Sequence, residues 1–220
     1  MAQGMAPNLD SLVKRGADVI VSGAALALSL PFWVWAMFAI GLSDGWPFLY
    51  SQNRVGRNGR LFRLYKFRSM VKDAEKHTSI ISSGKDDPRV TRVGRIMRKT
   101  AVDEIPQLLN IMRGDMSWVG PRAARPQEVA QFRQQLRDYD LRHRVRPGLT
   151  GLAQVCGRNY DDVAEKLGLD LYYIRHWSLF LDLQLFIRSW VNTALGRWEA
   201  ARGGTPNASA SENRCGGNEE

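Results

Sequence analysis

The sequence predicts a mainly helical α+β fold with a membrane-associated helix near its amino end and one small β-hairpin. Three observations predict it: an uncharged apolar run interrupted by a proline, an Asn-Gly pair between two β-prone arms, and apolar residues at helical spacing through much of the remainder. At 220 residues and 24.9 kDa the chain suits one compact domain with a sizeable core, plus a short appendage.

The apolar run, "VIVSGAALALSLPFWVWAMFAIGLS" from Val19 to Ser43, carries no charge. As a helix its roughly 25 residues would reach about 37 Å, more than a bilayer's hydrocarbon core. It lies too deep in the chain, and lacks the small-residue exit, for a cleaved signal peptide. Pro31 near its centre removes a backbone donor and kinks the helix, with Ser29 placed to satisfy a freed carbonyl. Lys14 and Arg15 precede the run and Arg54, Arg57, Arg60 and Arg63 follow it, so both flanks read as cytoplasmic. A helix that enters, bends at Pro31 and returns to the same face meets both observations. A single span and a buried helix of a soluble protein are the alternatives.

Next, "FLYSQNRVGRNGRLFRLYKFRSM" places Asn58-Gly59 between arms rich in aromatic and aliphatic residues, a hairpin from about Phe48 to Ser69. The polar stretch "KDAEKHTSIISSGKDDPRVT" reads as a surface loop, alone or with a short helix, and Thr91 to Lys99 as a basic helix. Thr100 to Asp103 matches a capping box, followed by Val102, Ile105, Leu108, Leu109 and Met112 at helical spacing, which puts Asp103 and Glu104 in a helix's first turn. "RGDMSWVGPR" reads as turn, short strand and turn, Gln127 to Arg144 as a polar helix, and "RPGLTG" as a glycine-bearing loop. From Ala164 to Trp198, helical periodicity combines with Tyr172, Tyr173, Trp177, Phe180, Trp190 and Trp198. That pattern suits helices lying at a membrane interface, or ordinary core helices. The tail, "GGTPNASASENRCGGNEE", is too polar to build a core.

A net charge of +9 and a pI near 9.9 imply polyanionic partners: nucleic acid, anionic lipid or phosphorylated small molecules. Cys156 and Cys215 show no spacing of a disulfide framework or zinc site, and His77, His143 and His176 form no metal-ligand pattern.

Asp103 and Glu104 invite two readings. Acids in a helix's first turn complement its dipole. But Arg92, Arg95, Arg98 and Lys99 lead into this pair and Arg113, Arg122 and Arg125 follow it. A phosphate-rich substrate needs such cations to offset its repulsion from an attacking carboxylate. Two adjacent carboxylates could then divide the work, one attacking phosphorus and the other holding Mg²⁺ on the phosphates.

"KRGAD", "FRLYKFRSM", "RKTAVDEIPQLLNIMRGDMSWVGPR", "RHRVRPGLTGLAQVCGRN" and "DLYYIRHWSLFLDLQLF" together resemble the bacterial sugar transferase family, the monotopic polyprenyl-phosphate phosphoglycosyl transferases, over nearly all of Lys14 to about Trp190. The resemblance implies a re-entrant N-terminal membrane helix hairpin over residues 1–45 with its break at Ser29 and Pro31. It implies a cytosolic, membrane-interfacial catalytic domain over 46–200 carrying the small β-hairpin and interfacial amphipathic helices, with a tail over 201–220. It implies a phospho-sugar moved from a nucleotide diphosphate sugar, usually UDP-linked, to undecaprenyl phosphate with release of UMP, on the cytoplasmic face of the bacterial inner membrane. Asp103 would be the nucleophile and Glu104 the Mg²⁺ partner, with Lys66, Arg98 and Arg122 as phosphate-binding cations and Arg146 either a further one or a structural residue of its loop.

Many family members carry a serine directly before the helix-breaking proline, where this chain has Leu30. The common "GPRP" is "GPRA" here, with Ala123. Without the extra N-terminal helices of larger members, the chain resembles the minimal form, with membrane lipids as partners and room for a homodimer. The rival class is a membrane-anchored basic module for single-stranded nucleic acid, built on "RLFRLYKFRS". It has no RRM, KH or helix-turn-helix signature and leaves the acid pair without a task, so no nucleic-acid partner is expected. A catalytically silent scaffold is the third reading, disfavoured because the acid pair and its cations are all present.

Overall fold

The computed structural model describes residues 12–72, 74, 87–156 and 162–195. The tail expected over 201–220 and most of the polar loop after Lys72 lie outside them.

Helix α1 (Leu12–Leu28) is inverted relative to a helix of a water-soluble core. Lys14, Asp18 and Ser22, spaced one turn apart on one face, are buried, while Leu12, Val13, Ile20, Val21 and Leu28 are exposed. Helix α2 (Leu30–Asp44) buries Ala36 and Ile40 and exposes Leu30, Phe32, Val34, Trp35, Phe38 and Leu42. Among the described residues no single helix is long and apolar enough to cross a membrane; α1 and α2 meet that test only as a pair, bent by 56°. The break falls at Ser29, whose hydroxyl donates to Leu26 O at 2.8 Å. Pro31 opens α2, where the missing N–H costs no helical bond.

Strands β1 (Leu49–Val55) and β2 (Leu61–Phe67) form the expected antiparallel hairpin, with Tyr50 opposite Lys66. Asn58 and Gly59 turn it at φ 54° and 75°. The order continues with α3 (Arg92–Lys99), a 3₁₀ turn (Val102–Glu104), α4 (Gln107–Arg113), β3 (Ser117–Val119), α5 (Pro126–Gln135) and a 3₁₀ helix (Tyr139–Arg144). Then come β4 (Gly148–Thr150), α6 (Leu152–Val155), α7 (Val163–Arg175) and α8 (Leu179–Ala194). The polar helix expected from Gln127 to Arg144 is thus two elements, since α5 ends at Gln135.

The stretch expected as a glycine-bearing loop contains β4, which pairs in parallel with β3 through Ser117–Gly148 and Val119–Thr150. Only glycine permits this approach: a Cβ on Gly148 would lie 2.1 Å from Gly120 N and 2.3 Å from Thr150 O.

The polar face of α1 plugs into the body of the protein. Lys14 pairs with Asp182 on α8 and donates to Val119 O at 3.3 Å. Asp182 also accepts from Tyr173 Oη at 2.7 Å and Trp177 Nε1 at 3.0 Å, while Asp18 accepts from Trp118 N at 3.2 Å. On α8, Leu179, Phe180, Leu183, Ile187, Trp190 and Val191 face outward and Leu185 is buried. Two core clusters border the acid pair. Ala36, Ile40, Phe67 and Met97 join α2, β2 and α3; Leu64, Leu108, Ile111, Met116 and Ala123 join β2 to α4. Ile105 packs against both and Val102 against the first, so the residues flanking Asp103 and Glu104 anchor them on either side.

Candidate active site

Helix α3 begins at Thr91, whose hydroxyl accepts from Gly94 N at 2.9 Å. It ends at Thr100, whose hydroxyl donates back to Ile96 O at 3.0 Å and Met97 O at 3.2 Å. Thr100 therefore closes the preceding helix and caps nothing ahead of it, which corrects the capping-box reading. Ala101 then adopts φ 56°, a left-handed conformation that costs a non-glycine residue about 1 kcal/mol or more. This reversal turns the chain into the tight Val102–Glu104 turn, with Pro106 leading into α4. Asp103 and Glu104 are both buried. The expected helix start is a separate 3₁₀ turn.

Glu104 Oε1 accepts from Lys66 Nζ at 2.7 Å and from Arg122 Nη2 at 3.2 Å. Lys66 arrives from β2, Arg122 from the turn after β3, and Glu104 from the segment between α3 and α4, so three separate elements converge on one carboxylate oxygen. Both contacts are charge-assisted, and both cations keep part of their side chain exposed above the buried carboxylate. A phosphate arriving from solvent would meet these two cations beside two carboxylates.

Two other expected phosphate cations are held by polar contacts of their own. Arg98, in the last turn of α3, donates from Nε to Ser69 Oγ at 3.0 Å. One turn earlier, Gly94 sits so close to this strand end that a Cβ would lie 2.0 Å from Ser69 O, so glycine sets how near Arg98 approaches β2. Arg146 donates from Nε to Gly114 O at 2.9 Å, at the opposite end of α4 from the acid pair. The structure thus brings together Asp103, Glu104, Lys66 and Arg122, docks Arg98 beside β2, and places Arg146 on the helix's carboxyl end.

The family model of the bacterial sugar transferases matches residues 9–196. The chain belongs to the bacterial sugar transferase family. It is 40% identical over 182 residues to the UDP-N-acetylgalactosamine-undecaprenyl-phosphate N-acetylgalactosaminephosphotransferase of Aeromonas hydrophila, covering 81% of this chain and 43% of that protein. It is 38% identical over 182 residues to the UDP-glucose:undecaprenyl-phosphate glucose-1-phosphate transferase of Escherichia coli K12, covering 80% and 39%. The chain therefore spans less than half the length of these two relatives. Against the exopolysaccharide production protein ExoY of Rhizobium meliloti it is 36% identical over 203 residues, covering 86% of this chain and 88% of that protein.

In this member of the family several positioning side chains had no clear sequence signal. Asn110, fully buried in α4, donates to Arg63 O at 2.7 Å and accepts from Tyr65 N at 3.1 Å, locking α4 to the strand that carries Lys66. An asparagine inside the apolar pattern "QLLNIM" was the available clue. Arg15 reaches from α1 to Ile111 O at 2.6 Å and Met112 O at 2.8 Å, capping the same helix. Arg68, buried just beyond β2, takes Asp44 O at 2.8 Å and Gly45 O at 2.6 Å and so ties the end of α2 to the strand bearing Lys66.

Proposed function

We propose that this chain transfers a sugar-1-phosphate from a UDP-sugar to undecaprenyl phosphate through a covalent intermediate on Asp103. The convergence of Lys66 and Arg122 on Glu104, next to buried Asp103, is the observation that carries this reading. In the first step an Asp103 carboxylate oxygen attacks the sugar-bearing phosphorus. The phosphoanhydride bond breaks, and UMP leaves with the bonding electron pair. In the second, the lipid phosphate oxygen attacks the same phosphorus, the acyl-phosphate bond breaks, and the Asp103 carboxylate is restored. Lys66 supplies a compact charge and Arg122 a planar fork to the phosphoryl oxygens, with Arg98 completing the cationic rim and Arg146 supporting the far end of α4.

The donor set suits Mg²⁺. Among the described residues no three His, Cys, Asp or Glu side chains cluster as a protein cage. Asp103 and Glu104 offer hard oxygens, the arrangement of a cation held by one or two carboxylates plus substrate phosphates. Bound there, Mg²⁺ would neutralise phosphate charge, with Glu104 as its principal protein ligand.

The inverted α1, the apolar α2 and the outward apolar face of α8 support a monotopic seat on the cytoplasmic face of the bacterial inner membrane. In that seat residues 1–45 form a re-entrant element broken at Ser29 and Pro31, and 46–200 the interfacial catalytic domain. The buried Lys14 and Asp18 tie the two together. Relatives' names span N-acetylgalactosamine, glucose and galactose, so the proposal covers the phospho-sugar class and a first membrane step in polysaccharide or glycoconjugate assembly.

The test is UMP release from UDP-glucose, UDP-galactose and UDP-N-acetylgalactosamine with undecaprenyl phosphate and Mg²⁺. Asp103→Asn is expected to lose at least about 10⁴-fold in rate, in line with removing a nucleophile. Full activity in Asp103→Asn, or no turnover with a wider UDP-sugar panel, overturns the proposal.

A further inference from the structure

The turn that carries Arg122 is held at four successive carbonyls. Pro121 O accepts from Gly148 N at 2.9 Å, Arg122 O from Arg142 Nη2 at 2.9 Å, Ala123 O from Arg54 Nη1 at 3.0 Å, and Ala124 O from Val55 N at 3.0 Å. The donors come from β4, from the 3₁₀ helix 139–144 and from β1. None belongs to the turn itself.

The Arg142 contact differs from the rest because its donor is itself buried and held on its other arms. Nε donates to Asp170 Oδ2 at 2.9 Å, Nη1 donates to Tyr139 Oη at 2.8 Å, and Nη2 lies 2.8 Å from Asp170 Oδ2. Burying a guanidinium and a carboxylate is a weak way to gain stability, since an apolar pair of similar volume serves as well or better. What an apolar pair cannot do is hold a backbone carbonyl. A planar fork fixed on Asp170 and Tyr139 presents its remaining N–H direction to Arg122 O and to no other residue of the turn.

We propose that Arg142, oriented by Asp170 on α7 and by Tyr139, is a positioning residue that fixes the backbone of Arg122 and so aims its guanidinium at Glu104. The inference rests on the proposed role of Arg122 at the phosphates. Arg122 is a long side chain on a short turn, and its 3.2 Å contact with Glu104 depends on where that turn places its Cα. Arg54 and Val55 brace the next two carbonyls from β1, the partner of the strand bearing Lys66, so both cations on Glu104 share one frame. Ala123, whose carbonyl accepts from Arg54, is itself buried in the core cluster that holds Leu64 and Leu108.

The test uses the full chain in lipid nanodiscs. Arg142→Met/Asp170→Leu removes both buried charges together, and Arg142→Lys keeps the charge beside Asp170 while giving up the fork. The double variant is expected to unfold near the wild-type temperature and to lose between about 10- and 100-fold in kcat, the range for a displaced positioning group. In an Arg122→Ala background the same double substitution is expected to cost less than about twofold, because its effect runs through Arg122. Arg142→Lys is expected to keep most of the defect.

Hydrogen exchange at the Val55 and Gly148 amides, which donate to Ala124 O and Pro121 O of the turn, is expected to quicken in both variants while the other β1–β2 amides stay unchanged. Full additivity with Arg122→Ala, full activity in Arg142→Lys, or unchanged exchange at Val55 and Gly148 overturns the inference. A wild type without turnover would sink the proposed reaction instead, and the exchange measurement would still decide this one.

Discussion

The Glu104 and Asp170 clusters are built from the same parts and differ in their exposure. Glu104 is paired with Lys66 and Arg122, whose side chains are 18% and 32% exposed; Asp170 is paired with Arg142, and these are 5% and 9% exposed. The first pairing opens outward and can exchange a protein carboxylate for a phosphate. The second is closed, and its charges act only on neighbouring protein atoms. Lys14 with Asp182 is a second closed pair, joining α1, with its exposed apolar face, to α8. Single substitutions that strand one partner of a closed pair should therefore register first as stability, and substitutions in the open one as rate alone.

Lys14→Met tests the closed side most severely. It takes the cationic partner from half-buried Asp182, leaving it the neutral donors Tyr173 and Trp177, and is expected to cost about 3 kcal/mol in thermal unfolding, with most of the loss recovered in Lys14→Met/Asp182→Leu. A single variant as stable as wild type would break the contrast. On the open side, Lys66→Met and Arg122→Met are each expected to lower kcat by about 10²–10³-fold, measured by UMP release, while the unfolding temperature stays close to wild type. A rate loss that tracked a stability loss would place Glu104 with the closed pairs.

Gly148→Ala should fall between these cases. Its methyl would meet Gly120 N and Thr150 O, so about 1–3 kcal/mol of stability is expected to be lost as β4 is pushed from β3. Activity should fall with it, because the same residue holds Pro121 O. Unchanged unfolding would mean that the strands relax freely.

The smallest effect concerns His143, next to Arg142. Burial first, and then the charge of Arg142, hold its imidazole below the usual histidine range against the opposing pull of Asp140. The native state thus keeps His143 neutral where the unfolded chain takes up a proton. Stability from this source is complete above pH 6.5 and declines as the pH falls below that toward the depressed native value. Denaturant midpoints from pH 7.5 to 5.5 should fall less steeply in His143→Gln than in wild type. Parallel curves would show that His143 does not contribute.

Much of this organisation was legible in the sequence where a local rule governs. Asn58-Gly59 announced the hairpin because its turn needs left-handed residues, and Ser29 with Pro31 announced the helix break because a missing donor must be managed nearby. Lys66 and Arg122 were named through family resemblance, since their meeting at Glu104 depends on three elements packed from distant parts of the chain. Thr100 misled because its hydroxyl bonds equally well to the helix behind it as to one ahead. Strand β4 was invisible because three residues carry no periodicity and its pairing relies on the absence of Cβ atoms at Gly120 and Gly148. Arg142 was hidden in "LRHRVR", a stretch that reads as solvated surface until Asp170 arrives from α7 to bury it.

The most direct test of the central claim omits the lipid. The chain incubated with a UDP-sugar and Mg²⁺ alone is expected to release one UMP per active site and to gain the mass of a sugar phosphate on the peptide containing Asp103, with neither change in Asp103→Asn. UMP release that begins only when undecaprenyl phosphate is added, with no adduct on that peptide, would contradict the account.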